Sequence, residues 1–231
     1  TNWISSQGEY IKKLEAALAK YHGVKYSIVT SSCTSALHLS LKSLNIKKGD
    51  EVICPDLTFI APANMIALSG AKLKLIDVDR ETLNIDYKQI EKNINKRTKA
   101  ILVVHQFGHS ADMDPIIKIA KKYKLKIIED NAESIGGRYK GKKLGTIGDL
   151  ATLSFYANKI ITCGEGGAVI TNSEIIAKRC YMLRDHGMTK TLDPIKRYKH
   201  LDLGYNYRMT NMQAAVGFSQ LETINKTLKI R

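Results

Sequence analysis

The fold is indicated most directly by residues 101–130, which read ILVVHQFGHSADMDPIIKIAKKYKLKIIED. The stretch begins with a β-branched apolar run, Ile101 to Val104, and closes with a second run, Lys126 to Glu129. Between the two runs Asp114 precedes Pro115, the pattern of a helix with an N-cap and a proline at its first position. The order strand, helix, strand is the unit from which parallel sheets are built.

The same alternation continues along most of the chain. Further strands are predicted at Tyr26 to Val29, Val52 to Cys54, Leu73 to Val78, Ala151 to Phe155 and Ala168 to Thr171. Further helices are predicted over residues 8–22, 36–44, 59–68 and 175–184, and from Asn211 onward. Each predicted strand is a short continuous apolar run, which is typical of strands buried on both faces. We therefore predict one α/β domain over residues 1–231, with a mainly parallel sheet of about seven strands and helices on both faces.

The composition is that of a globular protein, with 44% hydrophobic and 25% charged residues. No apolar run approaches the roughly 20 residues that a membrane span needs, so an integral membrane protein is excluded. The chain begins with Thr1 and carries no basic and apolar leader, so we expect no signal peptide and a piece of something longer. The four cysteines include no CxxC pair, and we expect reduced thiols in a cytoplasmic protein.

The formal net charge of +14 comes from 36 Lys and Arg against 22 Asp and Glu. A charge of this size favours polyanionic partners, which include nucleic acid, an anionic membrane surface and a phosphorylated small molecule. The lysines, however, are spread along the whole chain, and no stripe of basic and aromatic residues is present. We therefore expect a solvated basic surface and no nucleic-acid or membrane partner, and keep a basic nucleic-acid-binding domain as the alternative.

Two glycine-rich stretches resemble phosphate-binding loops but depart from their patterns. Residues 136–143, GGRYKGKK, place Lys143 where a Walker loop needs Ser or Thr, and Gly145 argues against the helix that should follow. Residues 164–167, GEGG, lack the third glycine of a dinucleotide fingerprint, since Val169 stands in its place. Neither stretch is predicted to bind a nucleotide.

A zinc site is not predicted either. His105 and His109 stand four residues apart, but Gln106 replaces the glutamate of an HExxH motif. The pair also follows a predicted strand instead of lying on a helix. We therefore predict no metal.

Polar residues follow several predicted strands, at the edge of a parallel sheet where ligands bind. The stretch from Thr30 to Ala36, TSSCTSA, opens a helix with small hydroxyl residues, which suits a phosphate, although this segment alone favours a plain Ser/Thr helix cap. Asp130 ends a buried strand, where a carboxylate needs a cation or hydrogen-bond donors. The protonated nitrogen of a pyridinium ring would be such a cation. Alternatively, Asp130 caps a helix or ligates a metal ion.

Two further residues complete a possible cofactor site. Lys159 lies among small and apolar residues ahead of several glycines and is a candidate Schiff-base lysine, although most lysines lie on the surface. Phe59 follows a strand, where it either stacks on a ring or packs in the core. Together these features provide a phosphate-binding helix start, an aromatic ring for stacking, an acid for a ring nitrogen and a lysine for an aldehyde. These are the groups that bind pyridoxal 5′-phosphate (PLP).

The order of several long motifs resembles the DegT/DnrJ/EryC1/StrS family of PLP-dependent sugar aminotransferases, which have the fold type I scaffold of aspartate aminotransferase. The motifs are SCTSALHLSL (32–41), GDEVICPDLTFIAPAN (49–64), IIEDNAESIGG (127–137), GTIGDLATLSFYANKIITCGEGG (145–167) and LGYNYRMTNMQAAVG (203–217). The resemblance covers essentially all 231 residues. It implies the PLP-binding large domain of the family without the smaller C-terminal domain, which appears absent from this chain.

The resemblance implies a chemical role for four side chains. Lys159 would hold the cofactor as a Schiff base and later move a proton. Asp130 would keep the pyridine nitrogen protonated, and Phe59 would stack on the ring. Glu133, where many relatives have Gln or His, would hydrogen-bond the ring hydroxyl.

The resemblance also implies the phosphate site and a homodimer. The backbone around Thr34 and Ser35 and the side chain of Ser154 would bind the cofactor phosphate. Asn206 would reach the phosphate of the neighbouring subunit, since members of the family look like dimers with shared active sites.

The implied reaction is transfer of an amino group from L-glutamate to a nucleotide-linked 4-keto-6-deoxyhexose. Relatives that dehydrate their substrate have His at the position of Lys159, so the lysine favours transamination. Glu133 and residues 183–187 and 197–200 look most like those of GDP-sugar 4-aminotransferases. UDP- or dTDP-sugar 4-aminotransferases and 3-aminotransferases are the alternatives.

Overall fold

The computed structural model describes residues 3–189 and 199–230. The strands are β1 (Tyr26–Thr30), β2 (Glu51–Pro55), β3 (Lys72–Ile76), β4 (Thr98–Val104), β5 (Lys126–Asp130), β6 (Arg138–Tyr139), β7 (Lys142–Lys143), β8 (Leu150–Ser154) and β9 (Gly167–Thr171). The α-helices are α1 (Glu9–His22), α2 (Cys33–Ser43), α3 (Ala61–Leu68), α4 (Tyr87–Ile90), α5 (Met113–Tyr123), α6 (Glu174–Arg184), α7 (Asn211–Glu222) and α8 (Ile224–Ile230).

Seven strands form the central sheet in the order β1-β9-β8-β5-β4-β2-β3. Every neighbouring pair from β8 to β3 is parallel, whereas β9 runs antiparallel to both β1 and β8. The seven strands predicted from apolar runs are the seven strands of this sheet, with ends shifted by a few residues. The predicted α/β fold with a mainly parallel sheet is therefore confirmed.

Helices cover both faces of the sheet, as predicted. Along β4, Leu102 belongs to the core cluster formed with α2, α3 and α6, while Ile101 and Val103 belong to the cluster formed with α4 and α5. A third cluster lies under α1 and α7, where Leu153 is fully buried. Successive strand residues point to opposite faces, so a strand covered on both sides must be apolar at nearly every position.

The start of α5 differs from the prediction. The helix begins at Met113 with Asp112 as its N-cap residue, so Pro115 lies inside the first turn instead of opening it. A proline is tolerated there because the first four N–H groups of a helix have no intrahelical partner. Asp114 is the second residue of the helix, so it cannot be the N-cap, and its side chain forms an exposed ion pair with Lys140.

Residues 136–143 contain a β-hairpin that the apolar pattern did not predict. Its strands, β6 and β7, pair antiparallel, and Lys140 and Gly141 turn between them with φ angles of 47° and 83°. Two successive residues with positive φ are characteristic of the type I′ turn of a two-residue hairpin loop. This structure agrees with the rejection of a phosphate-binding loop here.

None of the described helices is long and apolar enough to cross a membrane. The four cysteines, at positions 33, 54, 163 and 180, are free thiols.

Candidate active site

A cavity of about 500 Å³ opens at the carboxyl ends of β4, β5 and β8, beside the first residues of α2. Six of the eight predicted site residues line it: Thr34, Phe59, Asp130, Glu133, Ser154 and Lys159. Ser35 and Asn206 are not among its lining residues. The volume falls within the range of about 300–1,000 Å³ that is usual for small-molecule sites.

Asp130 is a buried carboxylate at the edge of the sheet, with 5% of its surface exposed. Its Oδ1 accepts hydrogen bonds from the Ala132 amide at 3.1 Å and from the Thr152 hydroxyl at 3.3 Å. Every hydrogen bond that the described residues give the Asp130 side chain goes to Oδ1, so Oδ2 is available to a ligand. Burial raises the pKa of the carboxyl group, and a cation placed at Oδ2 would restore the charged form.

Glu129, the neighbouring acid, has a structural role. Its carboxylate is fully buried and accepts the backbone amides of Gly145, Ile147 and Gly148 at 2.6–2.9 Å. His105 Nε2 lies 3.0 Å from the same carboxylate. Burial acts to raise the pKa of Glu129, but the His105 contact and the amides outweigh it and hold the pKa below its ordinary value.

The contact with Glu129 gives His105 a structural role. His105 is one of the two histidines considered above as metal ligands. Its Nδ1 accepts the amide of Ala111 at 3.3 Å, which leaves Nε2 to donate to Glu129. Both ring nitrogens are thus occupied within the protein. No group of three potential ligands among the described residues is placed to hold a metal ion.

Lys159 forms an ion pair with Glu133 at the wall of the cavity. The Lys159 Nζ lies 3.3 Å from Glu133 Oε1, and the lysine side chain is 19% exposed. Glu133 Oε2 accepts the amide of Phe107 at 3.0 Å. The lysine is therefore a half-buried group that shares its site with a carboxylate, and the alternative of an ordinary surface lysine is wrong.

The N-terminus of α2 borders the cavity through Ser32, Cys33 and Thr34. Ser32 and Ser35 form a capping box, in which each side chain accepts the amide of the other at 3.0–3.1 Å. The Ser35 hydroxyl and amide are thus engaged inside the helix cap. The amides of Cys33 and Thr34 are the first of the helix and have no intrahelical partner.

Gly167 allows the chain to pass directly beside this helix start. A Cβ atom on Gly167 would lie 2.5 Å from the Cys33 nitrogen and 2.5 Å from the Ser32 carbonyl carbon. Only glycine fits such an approach of two backbones. The second glycine-rich motif therefore has a packing function beside the start of α2.

Ser154 and Phe59, both predicted to bind the cofactor, differ sharply in how much of their surface is exposed. Ser154 ends β8, is 7% exposed, and its hydroxyl accepts the Tyr156 amide at 3.4 Å. Phe59 is 72% exposed although it lines the cavity, so the alternative that it packs in the core is wrong. An exposed aromatic face on a cavity wall is available to stack on a planar ligand.

Asn206 lies outside the cavity on an exposed segment. Its backbone forms an antiparallel bridge with Asp185, and Tyr205 and Tyr207 on either side of it stack at 5.0 Å and contact His38 of α2. Arg197 and Tyr198, which are part of the 197–200 pattern, lie outside the described residues.

The cavity also contains polar residues that the sequence argument did not single out. They are Ser32, Cys33, Thr58, Gln106, Tyr156, Asn158 and Glu165. Thr58 is notable because its hydroxyl is buried and has no hydrogen-bond partner in the described structure. Gln106 follows the end of β4, so applying the strand-end rule to every strand would have found it.

These groups fit pyridoxal phosphate. The orphaned Thr58 hydroxyl and the free Asp130 Oδ2 are polar atoms that await a ligand, and a protonated ring nitrogen is a suitable partner for the buried carboxylate. The α2 amides suit a phosphate. Lys159 supplies the amine that the cofactor aldehyde requires.

The model of the DegT/DnrJ/EryC1/StrS aminotransferase family matches residues 1–231. GDP-perosamine synthase from Caulobacter vibrioides is 48% identical over 231 residues, which is 100% of this chain and 61% of that protein. The chain spans about three-fifths of the length of the curated relatives it matches.

Solved structures give the same likeness in three dimensions. The aminotransferase from Psychrobacter cryohalolentis superposes with a TM-score of 0.90 at 37% identity, over 95% of this chain and 57% of that one. A GDP-4-keto-6-deoxymannose-3-dehydratase with a trapped PLP-glutamate geminal diamine gives 0.91 at 32% identity, over 97% of this chain and 62% of that one. The fold type I scaffold is therefore confirmed.

Proposed function

The chain belongs to the DegT/DnrJ/EryC1/StrS aminotransferase family, and we propose that it transfers an amino group from L-glutamate to a nucleotide-linked 4-keto-6-deoxyhexose. Its cofactor is pyridoxal 5′-phosphate. The observation that carries the proposal is that one cavity holds both a buried carboxylate with a free oxygen, Asp130, and a half-buried amine, Lys159. A nucleic-acid-binding function finds no support among the relatives.

When bound, the cofactor supplies an aldehyde for an amine and a protonated ring that withdraws electrons. Asp130 Oδ2 holds the proton at the ring nitrogen, because a carboxylate in a buried site is stabilised by a positive partner. Oδ1 is fixed by Ala132 and Thr152, so the orientation of Oδ2 is set before the ring arrives. Such preorganisation avoids reorientation during the reaction.

Lys159 acts first as the amine that holds the cofactor and then as the base that moves a proton. Its pairing with Glu133 keeps the Nζ at a fixed place in the cavity wall. A base that removes a proton must be within hydrogen-bond reach of it, so the neutral amine released from the cofactor would have to act from this same wall of the cavity. Glu133 would be the residue that hydrogen-bonds the ring hydroxyl, because its carboxylate lies on the same cavity wall as Lys159.

The remaining side chains hold the cofactor in position. The free amides at the start of α2, around Thr34, and the hydroxyl of Ser154 bind the phosphate. The Ser35 contribution is indirect, since its hydroxyl and amide hold the capping box. Phe59 stacks on the ring, and Thr58 donates its free hydroxyl to the same ligand.

A homodimer with shared sites is part of the proposal, with Asn206 of each chain completing the phosphate site of the other. The exposure of the Asn206 side chain and the backbone bridge between Asn206 and Asp185 support this role. We further propose a cytoplasmic location, which the free thiols support.

GDP is the proposed nucleotide because three curated relatives, at 41%, 46% and 48% identity, are named GDP-perosamine synthase. UDP and dTDP remain the alternatives. A second candidate reaction is dehydration, which the likeness to a 3-dehydratase favours. Lys159 argues for amination instead, because its amine is the group that a transamination requires.

The test is a coupled assay of the purified protein with PLP, L-glutamate and GDP-4-keto-6-deoxymannose. We expect 2-oxoglutarate and a 4-amino sugar nucleotide in equal amounts, and slower turnover with the UDP- and dTDP-linked substrates. A Lys159→Ala variant is expected to give neither product. A deoxygenated sugar without a new amine would contradict the proposal and favour dehydration.

A further inference from the structure

Residues 204–208, called here the Asn206 segment, present two aromatic side chains to the protein and one carboxamide to the outside. Tyr205 and Tyr207 are half-buried, with their rings stacked at 5.0 Å and an angle of 10° between the ring planes. Asn206, which lies between them in the chain and forms a β-bridge with Asp185, is exposed. Successive residues of an extended chain point to opposite sides. A group that holds the two rings therefore also sets the direction of Asn206.

His38 of α2 contacts both rings. Its Nδ1 lies 3.0 Å from the Tyr207 hydroxyl, and its ring centre lies 4.7 Å from that of Tyr205. His38 is 3% exposed, and burial lowers its pKa to about 4, so the ring is neutral near pH 7. A neutral imidazole can hydrogen-bond a hydroxyl without the cost of a buried charge. The contact between α2 and the Asn206 segment is therefore stable under ordinary conditions.

Backbone hydrogen bonds fix the place of the Asn206 segment, but they define its orientation only coarsely. The segment donates to the carbonyls of Leu183 and Arg184 and accepts the amide of Ser31, at 2.7–3.1 Å. A hydrogen bond tolerates a departure of about 30° from linearity. A group that binds a ligand has to be held within about 10–20° of its productive direction. The two rings packed on His38 supply this finer constraint.

His38 lies on the helix that begins at the cavity of its own chain, but outside that cavity. Thr34 lines the cavity, and His38 follows one turn later on the same side of α2. His38 is not a lining residue, and its ring bonds the Asn206 segment instead. An effect of His38 on the cofactor of its own chain would have to pass along α2. An effect through Asn206 would reach the cofactor of the other chain.

We propose that His38 is a positioning residue for the cofactor site of the partner subunit. By holding Tyr205 and Tyr207 it directs Asn206 toward the phosphate that the other chain binds. The proposal rests on the homodimer with shared sites that is part of the proposed function. It adds the residue that orients Asn206, and it places the effect of a change at His38 in the other chain.

The first measurement is PLP affinity, by fluorescence titration of each purified variant. His38→Leu removes the ring and its hydrogen bond while keeping a buried apolar side chain, and it is expected to weaken PLP about tenfold, the value of one hydrogen bond to a charged group. Tyr207→Phe removes only the hydroxyl and is expected to weaken PLP about threefold. The control is Ser40→Ala, on the same helix.

Ser40 matches His38 in burial but not in its contacts. It is fully buried, and its hydroxyl donates to the Ala36 carbonyl of the same helix at 2.8 Å. Ser40→Ala is expected to leave PLP affinity within about twofold of wild type, because this bond stays within α2. An equal loss of PLP affinity in Ser40→Ala and His38→Leu would overturn the proposal, as would wild-type affinity in His38→Leu.

The second measurement separates an effect on the partner from an effect on the same chain. Mixed dimers of His38→Leu with Lys159→Ala, purified through a different affinity tag on each chain, have one site with a native lysine and a partner's native Asn206 segment. At a PLP concentration equal to the wild-type dissociation constant, His38→Leu dimers should have about a fifth of wild-type activity. The mixed dimers should have about half, since one of their two sites is intact.

Mixed dimers with only about a tenth of wild-type activity would place the damage in the same chain and overturn the proposal. Where His38→Leu does not fold, Tyr207→Phe replaces it in the same comparison. Mixed dimers of Asn206→Asp with Lys159→Ala test the shared site itself. Recovery with Asn206→Asp but not with His38→Leu would overturn the role of His38 and leave the proposed function. Recovery with neither would overturn the shared site and the role of His38 with it.

Discussion

Glu129 and Asp130 are adjacent acids at the end of one strand, and their environments give them opposite properties. The pleat of β5 points successive side chains to opposite faces, so Glu129 meets three backbone amides and His105 while Asp130 faces the cavity. The pKa of Glu129 is held low by its donors, whereas burial raises the pKa of Asp130. One acid therefore holds the loop before β8, and the other is left to act on a ligand.

Replacing Asp130 by Asn is expected to stabilise the cofactor-free protein while removing its activity. Because the pKa of Asp130 is raised in the folded state, the wild type loses stability as the pH rises through the ordinary range of a carboxyl group. A carboxamide at this position would keep the Oδ1 hydrogen bonds without this cost, so the variant should gain about 1–3 kcal/mol at pH 7. Turnover should fall by at least about a hundredfold, because an amide cannot hold the ring proton.

Urea unfolding of the cofactor-free proteins between pH 4 and pH 8 checks this expectation. The difference between Asp130→Asn and wild type should shrink as the pH falls toward about 4, where the unfolded chain is protonated as well. A variant that is less stable than wild type at pH 7 would show that the carboxylate is satisfied without a ligand.

Replacing Glu129 by Gln is expected to have the opposite effect on stability. If the side-chain oxygen of glutamine keeps the amides of Ile147 and Gly148, its NH2 group faces the amide of Gly145 and the N–H of His105, so we expect a loss of about 2–4 kcal/mol in the free energy of unfolding at pH 7. Since the pKa of Glu129 is lowered, its stabilisation is present above the ordinary carboxyl pKa and is lost as the pH falls through the folded value. The same urea titrations measure both variants, and equal stability of the two would contradict this account.

At the level of elements, α2 joins the fold to the site. Its capping box fixes the first turn, and its leading amides border the cavity beside Gly167. The same type of capping box, between Thr210 and Gln213, begins α7, whose cap does not line the cavity. The two caps allow the effect of a cap on stability to be separated from its effect on phosphate binding.

Ser32→Ala and Thr210→Ala are each expected to lower the free energy of unfolding by about 1 kcal/mol, because each removes an N-cap hydroxyl. Only Ser32→Ala should also weaken PLP, by about fivefold or more, since a frayed first turn misplaces the amides that face the phosphate. Fluorescence titration with PLP and urea unfolding measure the two quantities. Equal loss of PLP affinity in both variants would place the phosphate elsewhere.

The elements most readily predicted from sequence are those whose pattern follows from burial alone. The seven sheet strands are covered on both sides, so each is a continuous apolar run that marks its position. The hairpin at 138–143 has no such run, and its signal lies in the Lys140–Gly141 turn, whose glycine also fits the pattern of a phosphate-binding loop. Helix α5 begins before Pro115 because the first turn tolerates proline, so the motif fixes its start only to within a turn.

The site was predictable to the extent that its residues follow strands. Asp130 and Lys159 stand out because a carboxylate or an amine after an apolar run needs a partner. The placement of Ser35 in the cap, instead of in the cavity, depends on which hydroxyl faces the helix, and the residue order alone does not determine that. Thr58 became visible only through an orphaned hydroxyl, and His38 only through its contact with Tyr207.

At the level of the whole molecule, the described chain provides the cofactor cavity and spans about three-fifths of its curated relatives. Asn206 lies on an exposed segment outside this cavity, next to Arg208 and its ion pair with Asp185. If each chain completes the phosphate site of the other, two differently inactivated proteins should complement each other.

Lys159→Ala and Asn206→Asp are expected to be inactive or nearly so when each is assayed alone. Mixed dimers would contain one site with both Lys159 and a partner's native asparagine, so subunit exchange should recover about a quarter of wild-type activity, since half the dimers are mixed and each has one intact site. Activity of the mixture that equals the mean of the two separate proteins would contradict a shared site.

The most direct measurement of the central claim is borohydride reduction of the PLP-loaded protein, followed by peptide mapping. The account predicts loss of the visible cofactor absorbance and a single pyridoxyl label on Lys159, with Asp130→Asn labelled at the same residue. A label on another lysine, or no label on a protein that has bound PLP, would contradict the account.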